Sequence, residues 1–199
     1  SPRRAHCIFE HVYFARPGSW VFGDSVYEVR KAMGRRMAQE HPVDADVVMP
    51  VPDSGMFAGL GYAEESGLPL DLGFTRNHYV GRTFIDPGHV SRRKLVTRKL
   101  QPIGEAVRGK RVCLIEDSIV RGSTSRARIR TLRDVGAKEV HMRVSCPPHR
   151  FGCYFGIDFP ERTALLANKM EFADLCSALR LDSLAYLSRE GMLSCVTSY

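Results

Sequence analysis

The chain has 199 residues, of which 29 are basic and 22 acidic, giving a formal net charge of +7 at pH 7. This length suits one domain, 1–199, with a core that needs no metal or disulfide support, and 44% hydrophobic residues are ordinary for a soluble globular protein. No apolar run reaches the length of a membrane span or follows the first residues as a signal peptide, so we expect a cytoplasmic protein without membrane contact.

Strand and helix patterns alternate along the first half of the chain. A helix is expected to begin at about residue 23 and to end near residue 39. Apolar, β-branched residues predict a buried strand over 47–51, a helix follows over 56–65, and 68–74 has the pattern of another strand.

The second half repeats this order. The clearest buried strand is 111–115, followed by a helix over 125–135 with Ile129 and Leu132 inward, and by a strand over 139–145. Residues 160–199 are expected to form two or three short helices.

Strand, helix, strand repeats predict an α/β fold: a mostly parallel, twisted sheet flanked by helices, with a small helical C-terminal appendage.

A strongly basic segment lies between the two halves. It has weak periodicity and turn-forming residues, which predicts a long surface loop. Such a concentration of charge indicates an anionic partner, either nucleic acid or a polyphosphate, unless it is only a solvated loop. Its basic residues, against the single acid Asp86, are Arg76, Arg82, Arg92, Arg93, Lys94, Arg98 and Lys99.

The end of strand 111–115 has the composition of a sugar-phosphate site. Glu116 and Asp117 are adjacent carboxylates where ligands of open α/β sheets bind, and they suit sugar hydroxyls or magnesium. A loop with Gly122 then enters the next helix through three hydroxyl residues at 123–125, and free N–H groups at a helix start bind phosphate. The pattern is neither a Walker loop nor G-x-G-x-x-G. The alternative is that the hydroxyls only cap the helix.

The string EDSIVRGST at 116–124 resembles the type I phosphoribosyltransferases, and in particular the amidophosphoribosyltransferase family. The agreement continues in order from Cys7 to about Gly191. The other matching strings are CIFEHVYFARP (7–17), VPDSG (51–55), NHYVGRTFI (77–85), PP (147–148) and GID (156–158).

The resemblance implies a type I phosphoribosyltransferase fold with a flexible loop at 76–99, and a substrate, phosphoribosyl pyrophosphate (PRPP), that is bound with Mg²⁺. Glu116 and Asp117 correspond to the residues that hold the ribose hydroxyls, 121–125 to the 5′-phosphate loop and 52–55 to the pyrophosphate loop. The substrate residues implied are Asp53, Ser54, Gly55, Arg76, Arg82, Lys99, Ser118, Arg121, Gly122, Ser123, Thr124 and Ser125, and the magnesium residues Ser54, Glu116 and Asp117.

The resemblance also implies the reaction. The family transfers the phosphoribosyl group to ammonia and so begins purine synthesis, with ammonia supplied by a glutaminase half that this chain lacks; a homo-oligomer is expected. The sequence departs from the family where Glu116 replaces a common Asp, Ser123 a common Thr and His78 an Arg found in some members.

The six cysteines contain no C-x-x-C pair. Most are expected to be reduced, buried thiols, with Cys113 in the core. By resemblance, Cys7 and Cys153 match two of the four ligands of a [4Fe–4S] cluster found in some members, as remnant positions. The other two belong to a C-x-x-C beyond this chain, so we expect no cluster here.

Two other functions remain open. A non-catalytic regulator of the same fold would sense PRPP and use its basic charge for DNA, but no helix-turn-helix pattern precedes the domain, and we expect no nucleic-acid partner. The second alternative is a phosphoribosyltransferase that acts on a free nucleobase, and the string NHYVGRTFI at 77–85 argues against it.

Overall fold

The computed structural model describes residues 5–76, 100–157 and 160–197, and strands and helices alternate along them. The strands are β1 (Trp20–Val21), β2 (Asp24–Ser25), β3 (Val47–Pro50), β4 (Phe74–Arg76), β5 (Leu100–Pro102), β6 (Arg111–Glu116), β7 (Glu139–Val144) and β8 (Ser183–Tyr186). The α-helices are α1 (Val26–Glu40), α2 (Met56–Ser66), α3 (Gly104–Val107), α4 (Ser123–Asp134), α5 (Leu166–Lys169), α6 (Phe172–Leu179) and α7 (Arg189–Leu193). A π-helical turn spans Glu10–Phe14 and a 3-10 turn spans Arg162–Ala164.

A parallel sheet in the order β3-β6-β7-β8 forms the centre of the molecule. Its two middle strands are almost fully buried, as expected of a parallel sheet covered by helices. The inner residues of β6 are apolar on both faces, whereas β7 carries polar side chains on one face, at the alternate positions 139, 141 and 143. Pro50 lies opposite Ile115, and Glu116 lies opposite Val144. The carboxyl ends of these three strands therefore meet at one edge, and the α/β fold with a parallel sheet is confirmed.

The helices bury the side chains that their periodicity selects. Ser25 accepts a hydrogen bond from the backbone N–H of Glu28 at the start of α1, close to the predicted beginning of that helix. Ile129 and Leu132 of α4 are fully buried, as predicted. Among the residues that the structure describes, no helix has both the length and the apolar character that crossing a membrane requires.

The predicted strand over 68–74 is mostly wrong. Only Leu70 forms a bridge, parallel to Val48, because Pro69 has no N–H to donate to a ladder. Phe74 instead begins β4, which pairs antiparallel with β5. The chain between these two strands, 77–99, lies outside the described residues, and with it nearly all of the basic segment.

The C-terminal part is not the purely helical appendage that the sequence predicts. Short helices are present, but β8 joins the central sheet beside β7, and Leu184 and Tyr186 are buried. Four residues are too few for a clear alternation, so this strand depends on the free edge of β7 more than on its own pattern. The carboxylate of Asp24 accepts hydrogen bonds from the N–H and hydroxyl of Thr197 at 3.0 and 2.6 Å, which fastens the C-terminal segment to β2.

Candidate active site

A cavity of about 460 Å³ lies beyond the carboxyl end of β6. One side of it is formed by Glu116, Asp117 and the loop that leads into α4, and Ser54 reaches it from the loop after β3. The opposite side is formed by aromatic residues of the N-terminal segment. The structure therefore brings Ser54 to the acidic pair and the hydroxyl residues, which are close to each other in sequence but far from Ser54.

The two carboxylates differ in their surroundings. Glu116 is buried at the end of β6 and makes an ion pair with Arg128 of α4. Burial raises the pKa of Glu116 to about 8, a change that Arg128 opposes and the neighbouring Asp117 charge reinforces. Asp117 accepts a hydrogen bond from the hydroxyl of Ser118. Arg128 thus stands as a cation beside Glu116, whereas Asp117 accepts a hydrogen bond from the neutral hydroxyl of Ser118.

The loop before α4 has the geometry of an anion site. Gly122 has φ of 75°, and a Cβ at this position would lie 2.7 Å from Cδ2 of Leu166, so glycine is required on two grounds. The N–H of Leu166 donates to the carbonyl of Val120 at 2.8 Å, which holds the loop in place. Gly122, at the N-cap, has no side chain to occupy the first N–H groups of α4. These groups, together with the hydroxyls of 123–125, face the cavity and suit a phosphate.

The loop after β3 lies beside this cradle. It is held against β6 by the N–H of Val51, which donates to the carbonyl of Ile115 at 2.8 Å. A Cβ at Gly55 would lie 2.5 Å from the same carbonyl oxygen, so glycine permits this close approach. The peptide bond between Pro52 and Asp53 is cis. Ser54 lines the cavity, whereas Asp53 makes an ion pair with Arg76 at the base of the β4–β5 hairpin.

Sequence reasoning missed the aromatic wall and the residue that holds it. Tyr13 and Phe14 line the cavity from the π-helical turn. The buried Arg30 of α1 donates to the carbonyl oxygens of His11 at 2.7 Å and Ala15 at 2.9 Å, one on each side of these aromatics. Burial lowers the pKa of Arg30, and the charge of Asp117 opposes that change. An arginine within an amphipathic helix pattern gives no local signal of such a contact.

Some of the remaining predicted substrate residues lie at or near the cavity, and others fall outside the described residues. Arg121 and Ser118 line the cavity, and Gly55 is buried beneath the loop after β3. Arg82 and Lys99 lie outside the described residues.

Cys7 and Cys153 line a second, largely apolar cavity of about 360 Å³, together with Cys146. Cys113 is in the core, as predicted, but among the described residues Cys146 is the only other buried cysteine and the remaining four are half-buried, so the expectation that most are buried is wrong. Within the described parts of the chain, His, Cys, Asp and Glu form no group of three or more that could hold a metal ion.

Known proteins resemble the chain over nearly its whole length. Two curated relatives, both named amidophosphoribosyltransferase, are 50% identical over 192 residues (Methanocaldococcus jannaschii) and 52% identical over 196 residues (Archaeoglobus fulgidus). These matches cover 96% and 98% of this chain but only 41% and 43% of the relatives. A scan against models of protein families gave no match.

Solved structures give the same result for the fold. The glutamine PRPP amidotransferase from B. subtilis, solved with ADP and GMP, superposes with a TM-score of 0.86 at 44% identity, covering 95% of this chain and 42% of that one. A structure described as the allosteric regulatory enzyme of purine biosynthesis has a TM-score of 0.87 at 43% identity, covering 96% and 41%.

Proposed function

We propose, from the premise that this chain belongs to the amidophosphoribosyltransferase family, that it transfers the phosphoribosyl group of PRPP to ammonia. The products would be 5-phosphoribosylamine and pyrophosphate, in the first committed step of purine synthesis. One observation carries the proposal: a single cavity joins a phosphate cradle at the start of α4 to the carboxylates at the end of β6. The chain covers less than half of its relatives, so the activity is proposed for this part of such an enzyme.

The proposal gives each part of PRPP a place in the cavity. The 5′-phosphate would accept hydrogen bonds from the backbone N–H groups of 121–124 and from the hydroxyls of Ser123, Thr124 and Ser125. Asp117 would accept hydrogen bonds from the ribose hydroxyls, with Glu116 beside it. The pyrophosphate would lie towards the loop 52–55, where Ser54 faces the cavity.

Magnesium fits the oxygen donors of this cavity. Mg²⁺ is commonly held by one or two carboxylates together with substrate phosphates, so few protein ligands are needed. Ser54 and Asp117 offer such oxygens, and Glu116 offers another although it is paired with Arg128. When bound, the ion would neutralise charge on the pyrophosphate oxygens.

The reaction needs positioning more than a reactive side chain. The nitrogen lone pair of ammonia forms a bond to C1 of the ribose while the bond from C1 to the pyrophosphate oxygen breaks. Pyrophosphate leaves with that electron pair, and the new ammonium group loses a proton to solvent. The carbon passes through a state resembling an oxocarbenium ion, which water would trap, so water must be excluded. Tyr13 and Phe14 supply apolar surface for this at one wall.

Other partners follow from the same premise. A glutaminase domain or subunit would supply ammonia, the enzyme would form a homo-oligomer, and 1–199 would act as one phosphoribosyltransferase domain. We place it in the cytoplasm, because its proposed substrates are highly charged, soluble metabolites. The loop 76–99 would cover PRPP, although all of it after Arg76 lies outside the described residues.

Pyrophosphate release tests the proposal. With PRPP and Mg²⁺, ammonium chloride should support release at a rate that rises with pH, because free ammonia is the nucleophile. Glutamine alone should not support it, since releasing ammonia needs an activated nucleophile that we do not assign to this chain. Measurable PRPP binding without ammonia-dependent release would instead favour the PRPP-sensing regulator.

A further inference from the structure

Arg128 is a cavity residue that the sequence did not single out. It lies on α4, one turn after the hydroxyl residues of the phosphate cradle, and lines the same cavity. Its side chain is 19% exposed, and that of its ion-pair partner Glu116 is 3% exposed. The pair therefore joins the end of β6 to the first turns of α4, the two elements that form the cavity floor.

The energetics of this pair are those of a buried contact. Breaking a buried ion pair by removing one partner leaves an uncompensated charge, which is far costlier than losing a pair at the surface. Without Arg128, the Glu116 side chain would need another hydrogen-bond partner, and the neighbouring group that could serve is the side chain of Asp117. Arg128 thus holds the Glu116 side chain away from that alternative.

Arg128 also has a donor that is not satisfied. Its Nε atom is buried and has no hydrogen-bond partner among the described residues. Such groups are uncommon in folded proteins and carry a desolvation cost. An arginine with a buried, unsatisfied Nε does not give the greatest folding stability at this position. Such a cost is more typical of a residue in a functional site than of one in a purely structural ion pair.

We propose that Arg128 is a positioning residue of the PRPP site: it fixes and neutralises Glu116, so that Asp117 is left to take the ribose hydroxyls. The proposal rests on the function proposed above and deepens it. The proposal gives the two acids different roles: Glu116 is held by Arg128 of α4, and Asp117 faces the ligand. It also explains how two adjacent, buried carboxylates can receive a substrate that carries several negative charges.

The test uses two probes, ribose 5-phosphate and pyrophosphate, each titrated calorimetrically into the full chain without magnesium. Ribose 5-phosphate occupies the part of the site beside Asp117, whereas pyrophosphate belongs to the loop 52–55. Arg128→Met should weaken ribose 5-phosphate binding by about tenfold, the loss of roughly one charge-assisted contact. Pyrophosphate binding should remain within about threefold of wild type, because the ion pair of Arg128 is with Glu116 of β6 and not with a residue of that loop. General structural damage would weaken both probes.

Three further variants sharpen the test. Glu116→Gln combined with Arg128→Met should bind ribose 5-phosphate no more weakly than Glu116→Gln alone, because residues that act as a unit are not additive. Arg128→Lys, which keeps the charge, should recover most of the affinity. Arg130→Met is the matched control, since Arg130 is exposed on the same helix and pairs with Asp134 at 3.7 Å; its affinity should be that of wild type.

Some results would overturn the proposal. Wild-type affinity in Arg128→Met, equal losses for both probes, or independent losses in the double variant would each do so while leaving the proposed function intact. No ribose 5-phosphate binding by the wild type would instead refute the function assigned to the cavity. If Arg128→Met does not fold, the double variant carries the test, because it contains no uncompensated carboxylate.

Discussion

Arg76 donates from Nη1 to Oδ2 of Asp53 across 2.6 Å, and this ion pair joins the base of the β4–β5 hairpin to the loop after β3. Both side chains are more than half exposed, so the pair contributes little to folding stability. The location of this pair matters, because Arg76 is the first residue of the basic segment and Asp53 adjoins Ser54 at the cavity.

Arg76→Gln should therefore separate stability from activity. The free energy of unfolding should change by less than about 0.5 kcal/mol, because exposed ion pairs contribute little. PRPP-dependent pyrophosphate release should fall, since the variant frees Asp53 and removes a cation near the proposed pyrophosphate loop. Urea unfolding and the ammonia-dependent assay measure the two quantities. A loss in stability that matched the loss in activity would contradict this separation.

Substitution of the acids should weaken PRPP binding. Asp117→Asn removes a charged acceptor of the ribose hydroxyls, which is worth about 1.5–3 kcal/mol, and Glu116→Gln should act in the same direction. Titration calorimetry with PRPP and Mg²⁺ measures the effect. Asp44→Asn is the matched control, because this carboxylate is largely exposed and precedes the amino end of β3, whereas the cavity lies beyond the carboxyl ends of the strands. Wild-type affinity in both acid variants would refute the site.

Gly122→Ala should destabilise the protein more than Gly67→Ala. Both glycines have positive φ, 75° and 70°, so both variants carry the strain of a left-handed alanine, about 1–2 kcal/mol. Only at Gly122 would the new Cβ also meet Leu166, at 2.7 Å, whereas at Gly67 nothing lies within 4 Å. Urea unfolding of the two variants measures the difference. Equal losses would show that Leu166 adjusts without cost.

Acid stability should depend on Asp46. Hydrogen bonds from Arg111 lower the pKa of Asp46 from 3.8 to about 2. A carboxylate whose pKa is lower in the folded state adds stability above its unfolded pKa and loses it as pH falls through the folded value. Asp46→Asn should therefore flatten the fall in unfolding free energy between about pH 4 and pH 2. Urea unfolding at several pH values measures this slope, and an unchanged slope in Asp46→Asn would contradict the prediction.

The basic segment should serve PRPP and not nucleic acid. A gel-shift assay at physiological salt should show no specific duplex complex at about 10⁻⁸ M or tighter, the range of specific DNA-binding proteins. Such a complex would favour the regulator over the enzyme.

Local sequence was enough to predict the principal strands and the glycine-containing turn into α4 that we propose as a phosphate cradle. These features follow one another closely in sequence: the apolar run of β6, the acids at its end, the glycine before α4 and the hydroxyl residues of its first turn. Each can be recognised from its own residues, without knowledge of distant partners. The family resemblance assigned roles to the same residues, and similarity to known proteins confirmed the family.

Tertiary structure alone decided which distant side chains complete the site. Nothing local distinguishes Arg128 from the other arginines of α4, yet it is the one that meets Glu116, and Arg30 likewise meets the carbonyls beside the aromatic wall. The four residues of β8 are a strand because β7 offers an edge, not because their pattern is strong. The periodicity of a segment predicts which of its residues are buried. Which side chain a buried residue then contacts depends on the order of the strands in the sheet. That order is set by packing between segments far apart in the chain.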